Sequence, residues 1–198
     1  MFFLRSALQT QQLGPVADLV ADGVEQLGAR PMIYAGGESE AAKTMIAEQC
    51  DAYVMHGDSV EAIGGKISDM KRRRDATGHG PMQFGMAAYA IVRDSEPEAR
   101  AEQARITAMP ATPPKGFDNF EQWLSGTQLE RDIKLRDYSV SNRGLMPDLV
   151  GTPAQVRDKI AAYEAVGIDL LLLQMSPQAE EMDRFAETII APMRVTST

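Results

Sequence analysis

The sequence is poor in the residues that usually announce a chemistry. It has one cysteine, Cys50, one tryptophan, Trp123, and two histidines, His56 and His79, in 198 residues. A lone cysteine excludes an internal disulfide and fits a reducing compartment. At the end of a predicted helix, Cys50 reads as a small buried hydrophobe. Two histidines without carboxylates at ligand spacing make no metal site. No apolar run approaches the ~20 residues of a membrane span. Met1 to Gly14 lacks a cationic segment followed by a long apolar one, so a secretory leader is not expected and a cytoplasmic, membrane-free protein is. Positive charge is also short. The formal net charge is −8 and the pI about 4.8, which argues against the basic face that nucleic-acid binding needs. The one basic run, Lys71-Arg72-Arg73-Arg74, closes a predicted helix and reads as a solvated end that complements the helix dipole.

What is present is a rhythm. Hydrophobic residues make up 44% of the chain, enough for one domain with a proper core. From Pro31 onward, short apolar runs alternate with capped helical stretches. Met32 to Ala35 reads as a strand, and Ser39 caps a helix from Glu40 to about Gln49. Ala52 to Met55 is a second strand, and Asp58 with Glu61 has capping-box spacing. Ile63, Ile67 and Met70 then share one helical face. Gly78 and Gly80 mark a turn before the long strand Gln83 to Val92. Ser95 and Glu98 open a helix to about Thr107. Thr152, Pro153 and Gln155 open another, with Val156, Ile160 and Tyr163 as its buried stripe and Gly167 as its end. "IDLLLLQM" reads as a strand covered on both faces. A last helix follows Ser176 and Pro177, with Met182, Phe185 and Ile189 inward. Four strands joined by helices predict a parallel α/β sheet. Residues 1–30 have no clear place. Residues 109–150 break the rhythm with four prolines and Trp123, which either lines a lid or packs in a core. A connection this long is usually functional or disordered.

In parallel α/β folds ligands bind beyond the carboxyl ends of the strands. "AGGES", Ala35 to Ser39, lies at such an end. Two readings stand. Gly36 and Gly37 admit an anion to the free amides of the helix start, with the Ser39 hydroxyl beside them, as a phosphate cradle. Alternatively they make a tight turn at positive φ and Ser39 is a plain cap. Glu38 counts against a phosphate. His56 follows the second strand, also at a carboxyl end, and is a candidate to face a site. His79 lies at the opposite end and reads as solvated.

"PMIYAGGESEAA", "FGMAAYAIVRDSEPEA", "YSVSNRGL", "LVGTPAQV" and "GIDLLLLQMSPQAEEMDRFAETI" together resemble the flavin-dependent monooxygenases of the bacterial luciferase-like family, in particular its dimethyl sulfone branch. The similarity runs from about Pro31 to Met193. The resemblance implies the second half, strands five to eight, of a (β/α)8 TIM-type barrel, with residues 109–150 as a lid insertion and residues 1–30 unmatched. It implies reduced FMN from a separate NAD(P)H-dependent flavin reductase, O2, a small organosulfur substrate and oxidative C–S cleavage in a homo-oligomer. It assigns Gly36, Gly37 and Ser39 to the FMN phosphate. It matches Arg143 to the arginine on the family's mobile lid, where a guanidinium stabilises developing negative charge; the plain alternative is a solvated loop arginine. Alkanesulfonate enzymes carry arginine and histidine where this strand has Ala87 and Tyr89. Without that cation a neutral sulfone is the better substrate. Tyr89 then either donates to a sulfonyl oxygen or is an amphipathic core residue. A chain holding half a barrel is also open to a second expectation, a non-catalytic or partner-dependent fragment.

Overall fold

The computed structural model describes residues 31–108 and 144–195. In chain order these form β1 (Tyr34–Ala35), α1 (Glu40–Gln49), β2 (Ala52–His56), α2 (Val60–Ala76), β3 (Gln83–Val92), α3 (Glu96–Thr107), β4 (Leu149–Gly151), α4 (Pro153–Ala165), β5 (Leu170–Gln174) and α5 (Gln178–Phe185). A π-helical turn (Ala186–Ile190) and α6 (Ala191–Val195) close the described chain. Trp123, Arg143 and most of the expected insertion lie outside the described residues.

Two compact units divide the chain, one comprising Lys66–Gly85 with the residues up to Met55, the other His56–Gly65 with the residues from Met86 onward. In the first unit β1 pairs in parallel with β2, Tyr34 opposite Ala52 and Ala35 opposite Tyr53. The start of β3 lies in the same unit, where the Gln83 N–H donates to the Asp51 carbonyl at 3.0 Å. The strand order is β1-β2-β3-β4, and β5 also pairs with β3. In the second unit β3 and β4 are parallel, Ala90 opposite Leu149 and Val92 opposite Gly151. Five strands are therefore present among the described residues, where four were expected. The addition is β4, three residues too short to carry a periodic signal.

Local chemistry explains where the helices begin. The Ser39 hydroxyl accepts from the Ala42 N–H. Ser95 with Glu98 and Thr152 with Gln155 each form a complete capping box. At α2 the expected box does not form. The helix starts at Val60, one residue later than the Asp58 cap requires, and the Ser59 hydroxyl caps it by accepting from the Ala62 N–H at 3.2 Å.

Three other expectations change. The basic run is not simply solvated, because Arg74 is buried. Its Nε donates to the Gly80 carbonyl, and its Nη1 donates to the carbonyls of Ala47 (2.6 Å) and Cys50 (3.1 Å) at the end of α1. Those carbonyls have no helical partners of their own, so a buried guanidinium is held by the polar groups it satisfies. Met182 does not face inward; it is 53% exposed and Glu181 is buried in its place. Both positions share a helical stripe with Phe185 and Ile189. Arg93 decides between them by donating to Glu181 Oε2 at 2.8 Å. Finally, β5 is not covered on both faces, since Leu172 is 44% exposed.

Candidate functional site

The first unit carries the glycine pair. β1 ends at Ala35 and α1 starts at Glu40, so Gly36 to Ser39 form the strand-to-helix turn. Neither glycine has the positive φ that the turn reading required. Close approach is the reason for both. A Cβ on Gly36 would lie 2.8 Å from the Val54 carbonyl oxygen of β2, and a Cβ on Gly37 would lie 2.7 Å from the Ala42 Cβ of α1. What comes close to the backbone here is the chain itself.

That leaves the outward side of the turn for a ligand. The amides of Glu40 and Ala41 open α1 and have no carbonyl one turn earlier to bond. The Ser39 oxygen accepts from Ala42 at 3.2 Å, and its proton is left to donate. The Glu38 carboxylate, the feature that spoke against an anion, is engaged by Lys66 Nζ at 2.7 Å. The pair is neutral as a whole and removes the repulsion that Glu38 alone would present to an anion. Below it, Tyr53 is buried and its hydroxyl donates to the Gly37 carbonyl at 3.1 Å. Burial, reinforced by the negative charges of Glu38 and Asp69, pushes its phenol up to about 12. Helix-start amides and a hydroxyl are a donor set that fits a phosphate monoester.

The second unit carries His56 and Tyr89. His56 ends β2 and is exposed. Behind it Gly57 is buried, and a Cβ there would meet Pro147 Cγ at 2.2 Å and the Ala87 carbonyl oxygen at 2.6 Å. The segment from Gly144 to Pro147 therefore packs against Gly57 and against Ala87 to Tyr89 in the middle of β3. The Tyr89 N–H donates to the Gly144 carbonyl at 2.7 Å. The Tyr163 hydroxyl donates to the carbonyls of Asp58 (2.7 Å) and Pro147 (3.3 Å). The Tyr89 side chain sits in a buried cluster with Ile91, Ala99, Leu145 and Val150, with Ile106 packed against it. This surrounding favours the core reading of Tyr89 over substrate contact. Nearby, Asp148 has φ +53° and accepts from both Arg100 and Lys159. Burial pushes its carboxyl up, but those two hydrogen-bonding cations outweigh it and hold it below its ordinary value.

Gly36, Gly37 and Ser39 are thus brought into one turn, His56 and Tyr89 belong to the other unit, and Arg143 lies outside the described residues. Tyr53, Lys66 and Gly57 were not singled out from the sequence. Gly57 alone had a signal, a glycine directly after a strand end, the same signal that marked Gly36. Among the described residues no group of His, Cys, Asp and Glu is arranged to hold a metal, and no helix is long and apolar enough to cross a membrane.

A family model described as luciferase-like monooxygenase matches residues 8–170. The match begins inside the stretch for which no counterpart was seen in the sequence. The FMNH2-dependent dimethylsulfone monooxygenase of Pseudomonas putida is 32% identical over 180 residues, covering 83% of this chain and 47% of that protein. The sulfoquinovose monooxygenase of Novosphingobium aromaticivorans is 33% identical over 180 residues, covering 82% and 49%. The chain spans about half the length of the curated relatives it matches. The crystal structure of DmoA from Hyphomicrobium sulfonivorans superposes with a TM-score of 0.64 at 18% identity, covering 85% of this chain and 42% of that one. Long-chain alkane monooxygenase LadA gives 0.63 at 19% identity. The parallel strands and helices seen here are those of a partial luciferase-like α/β barrel of TIM type.

Proposed function

This chain belongs to the luciferase-like monooxygenase family, and from that premise we propose that it serves a reduced-FMN- and O2-dependent monooxygenase acting on a small organosulfur compound, dimethyl sulfone first among the candidates. The observation that carries the reading is the turn from Gly36 to Ser39. It offers amides and the Ser39 hydroxyl to the flavin phosphate, with the Glu38 charge balanced by Lys66. When bound, reduced FMN supplies the activation of O2, and a separate NAD(P)H-dependent flavin reductase supplies the reduced flavin. The chain's own part is to seat the phosphate and to shape a substrate site. Dimethyl sulfone, FMNH2 and O2 become methanesulfinate, formaldehyde, FMN and water, with one oxygen atom ending in the aldehyde and the other in water.

Substrate charge is the finer part of the proposal. β3 reads QFGMAAYAIV and carries no cation. A sulfonate brought against it would be an unpaired charge, which is costly away from water, whereas a sulfone needs only hydrogen-bond donors. His56, exposed at the end of β2, is one such donor, and Arg143 is assigned by the resemblance to the oxyanion. As the test, turnover with flavin reductase, NADH and O2 is compared for dimethyl sulfone, read as formaldehyde, and for methanesulfonate and sulfoquinovose, both read as sulfite. Turnover of the sulfone alone supports the proposal; turnover of a sulfonate alone refutes the substrate, and no turnover of any supports the second reading. That second reading is a chain that binds flavin and performs no chemistry by itself. It is favoured by the burial of Tyr89 among Ile91, Ala99 and Leu145, the surroundings of a core residue.

A further inference from the structure

We propose that Tyr53 is a positioning residue for the phosphate seat, acting through the Gly37–Glu38 peptide; the proposal rests on the reading of the turn given above. Tyr53 stands on β2, is 1% exposed, and donates its hydroxyl to the Gly37 carbonyl oxygen at 3.1 Å. A trans peptide is planar, with its C=O and N–H pointing in opposite directions. Holding the Gly37 carbonyl down toward the buried ring therefore turns the Glu38 N–H away from it, outward. A strand-to-helix turn with two glycines has other ways to orient that peptide, because glycine restrains φ and ψ so little. The Tyr53 hydroxyl selects one of them. The selected orientation adds an amide to those of Glu40 and Ala41 at the start of α1.

Two further features support a fixed donor. A phenol is protonated at physiological pH in any case, and burial, which pushes this one up to about 12, only reinforces that. The Glu38 side chain, which would otherwise compete for its neighbouring amides or repel an anion, is drawn to Lys66 at 2.7 Å. The backbone and the side chain of Glu38 are thus each held by a separate partner within the same unit.

The test is Tyr53→Phe in the full chain, which removes one hydroxyl and keeps the ring. Affinities for FMN and for riboflavin, which lacks the phosphate, are measured by flavin fluorescence alongside thermal unfolding. One charge-assisted hydrogen bond lost corresponds to about tenfold weaker FMN binding, with riboflavin affinity unchanged. A merely structural role would weaken both flavins together, or neither, and either result overturns the proposal. Wild-type chain that binds FMN no better than riboflavin removes the phosphate seat itself, a failure of the underlying reading rather than of Tyr53 alone. Should the variant not fold, the Glu38 amide resonance of the wild-type chain decides. It shifts on titration with inorganic phosphate if the N–H faces outward, and its indifference to phosphate overturns the proposal.

Discussion

Gly37→Ala separates the two explanations of the glycine pair. The new methyl would lie 2.7 Å from the Ala42 Cβ, well inside contact distance, and both atoms are fixed to backbone that cannot rotate away. Overpacking of this kind costs about 2 kcal/mol. Ala42→Gly alone removes a methyl from the third residue of α1 and costs about 1 kcal/mol in helix propensity. If the two sites were independent, the double variant would lose about 3 kcal/mol. If the clash is the cause, Ala42→Gly makes room for the new methyl and the double variant loses only about 1 kcal/mol, a coupling of about 2 kcal/mol. Urea unfolding of the four proteins measures the cycle. Because the Gly37 Cβ points at α1 and not outward, FMN affinity falls in the single variant and returns in the double. Additive losses would refute the packing explanation. A double variant that regains stability but not FMN affinity would show that Gly37 is needed on its ligand side after all.

Other perturbations follow from single contacts. Arg74→Met leaves the carbonyls of Ala47, Cys50 and Gly80 without their buried donor, and chemical denaturation should show a loss of about 3 kcal/mol, at the scale of hydrogen bonds to a charged group. Glu181→Gln removes the nearer of the two carboxylates around Arg93 and leaves Glu102 at 3.9 Å, and should cost about 2 kcal/mol by the same assay, the scale of one hydrogen bond to a charged group. Asp148 has a depressed carboxyl, so its stabilising contribution is complete above the ordinary aspartate range near 4 and is lost as pH falls through the lower folded value. Asp148→Asn, which tolerates the same φ, should lower the melting temperature at neutral pH and flatten the acid limb of the stability profile; an unchanged limb would refute the assignment. Arg143→Ala should lower turnover about a hundredfold if it is the oxyanion donor that the resemblance implies, and a wild-type rate would remove it from the mechanism.

The elements of this fold were legible because they are local. Ser39, Ser95 and Thr152 each cap a helix within four residues of the group they bind, and the Ile63, Ile67 and Met70 stripe is a local periodicity that the structure buries. The contacts that were not legible are distant in sequence. Arg74 reaches Ala47 across 27 positions, and Arg93 reaches Glu181 across 88. Nothing in a run of four cations says which one will find carbonyls to satisfy it. Nothing in the periodicity of the last helix separates Glu181 from Met182 until Arg93 supplies a counter-charge. At the candidate site the glycine pair was visible, but its reason was not, because both readings of Gly36 and Gly37 overlooked β2 and α1 as the surfaces that come close.

The same distant pairing bears on substrate charge. The first cation after β3 is Arg93, at the carboxyl end where ligands of such folds bind, and by sequence it is a natural counter-ion for a sulfonate. Its guanidinium is not free for that purpose. Nη1 donates to the Val92 carbonyl at 2.7 Å and to Glu181 at 2.8 Å, and Glu102 lies 3.9 Å from Nη2. Glu102 also pairs with Arg105 at 2.7 Å, and Glu181 lies 4.0 Å from Arg184, so Arg93 is committed to an ion-pair network and is not an open cation for an anion. β3 itself offers alanine at 87 and 88 and no cation along its length. A neutral sulfone meets neither obstacle. The proposed preference for an uncharged substrate therefore rests on two separate features, an absent cation on the strand and a neutralised one just beyond it, and a variant that restores only one of them should not by itself convert the site to a sulfonate.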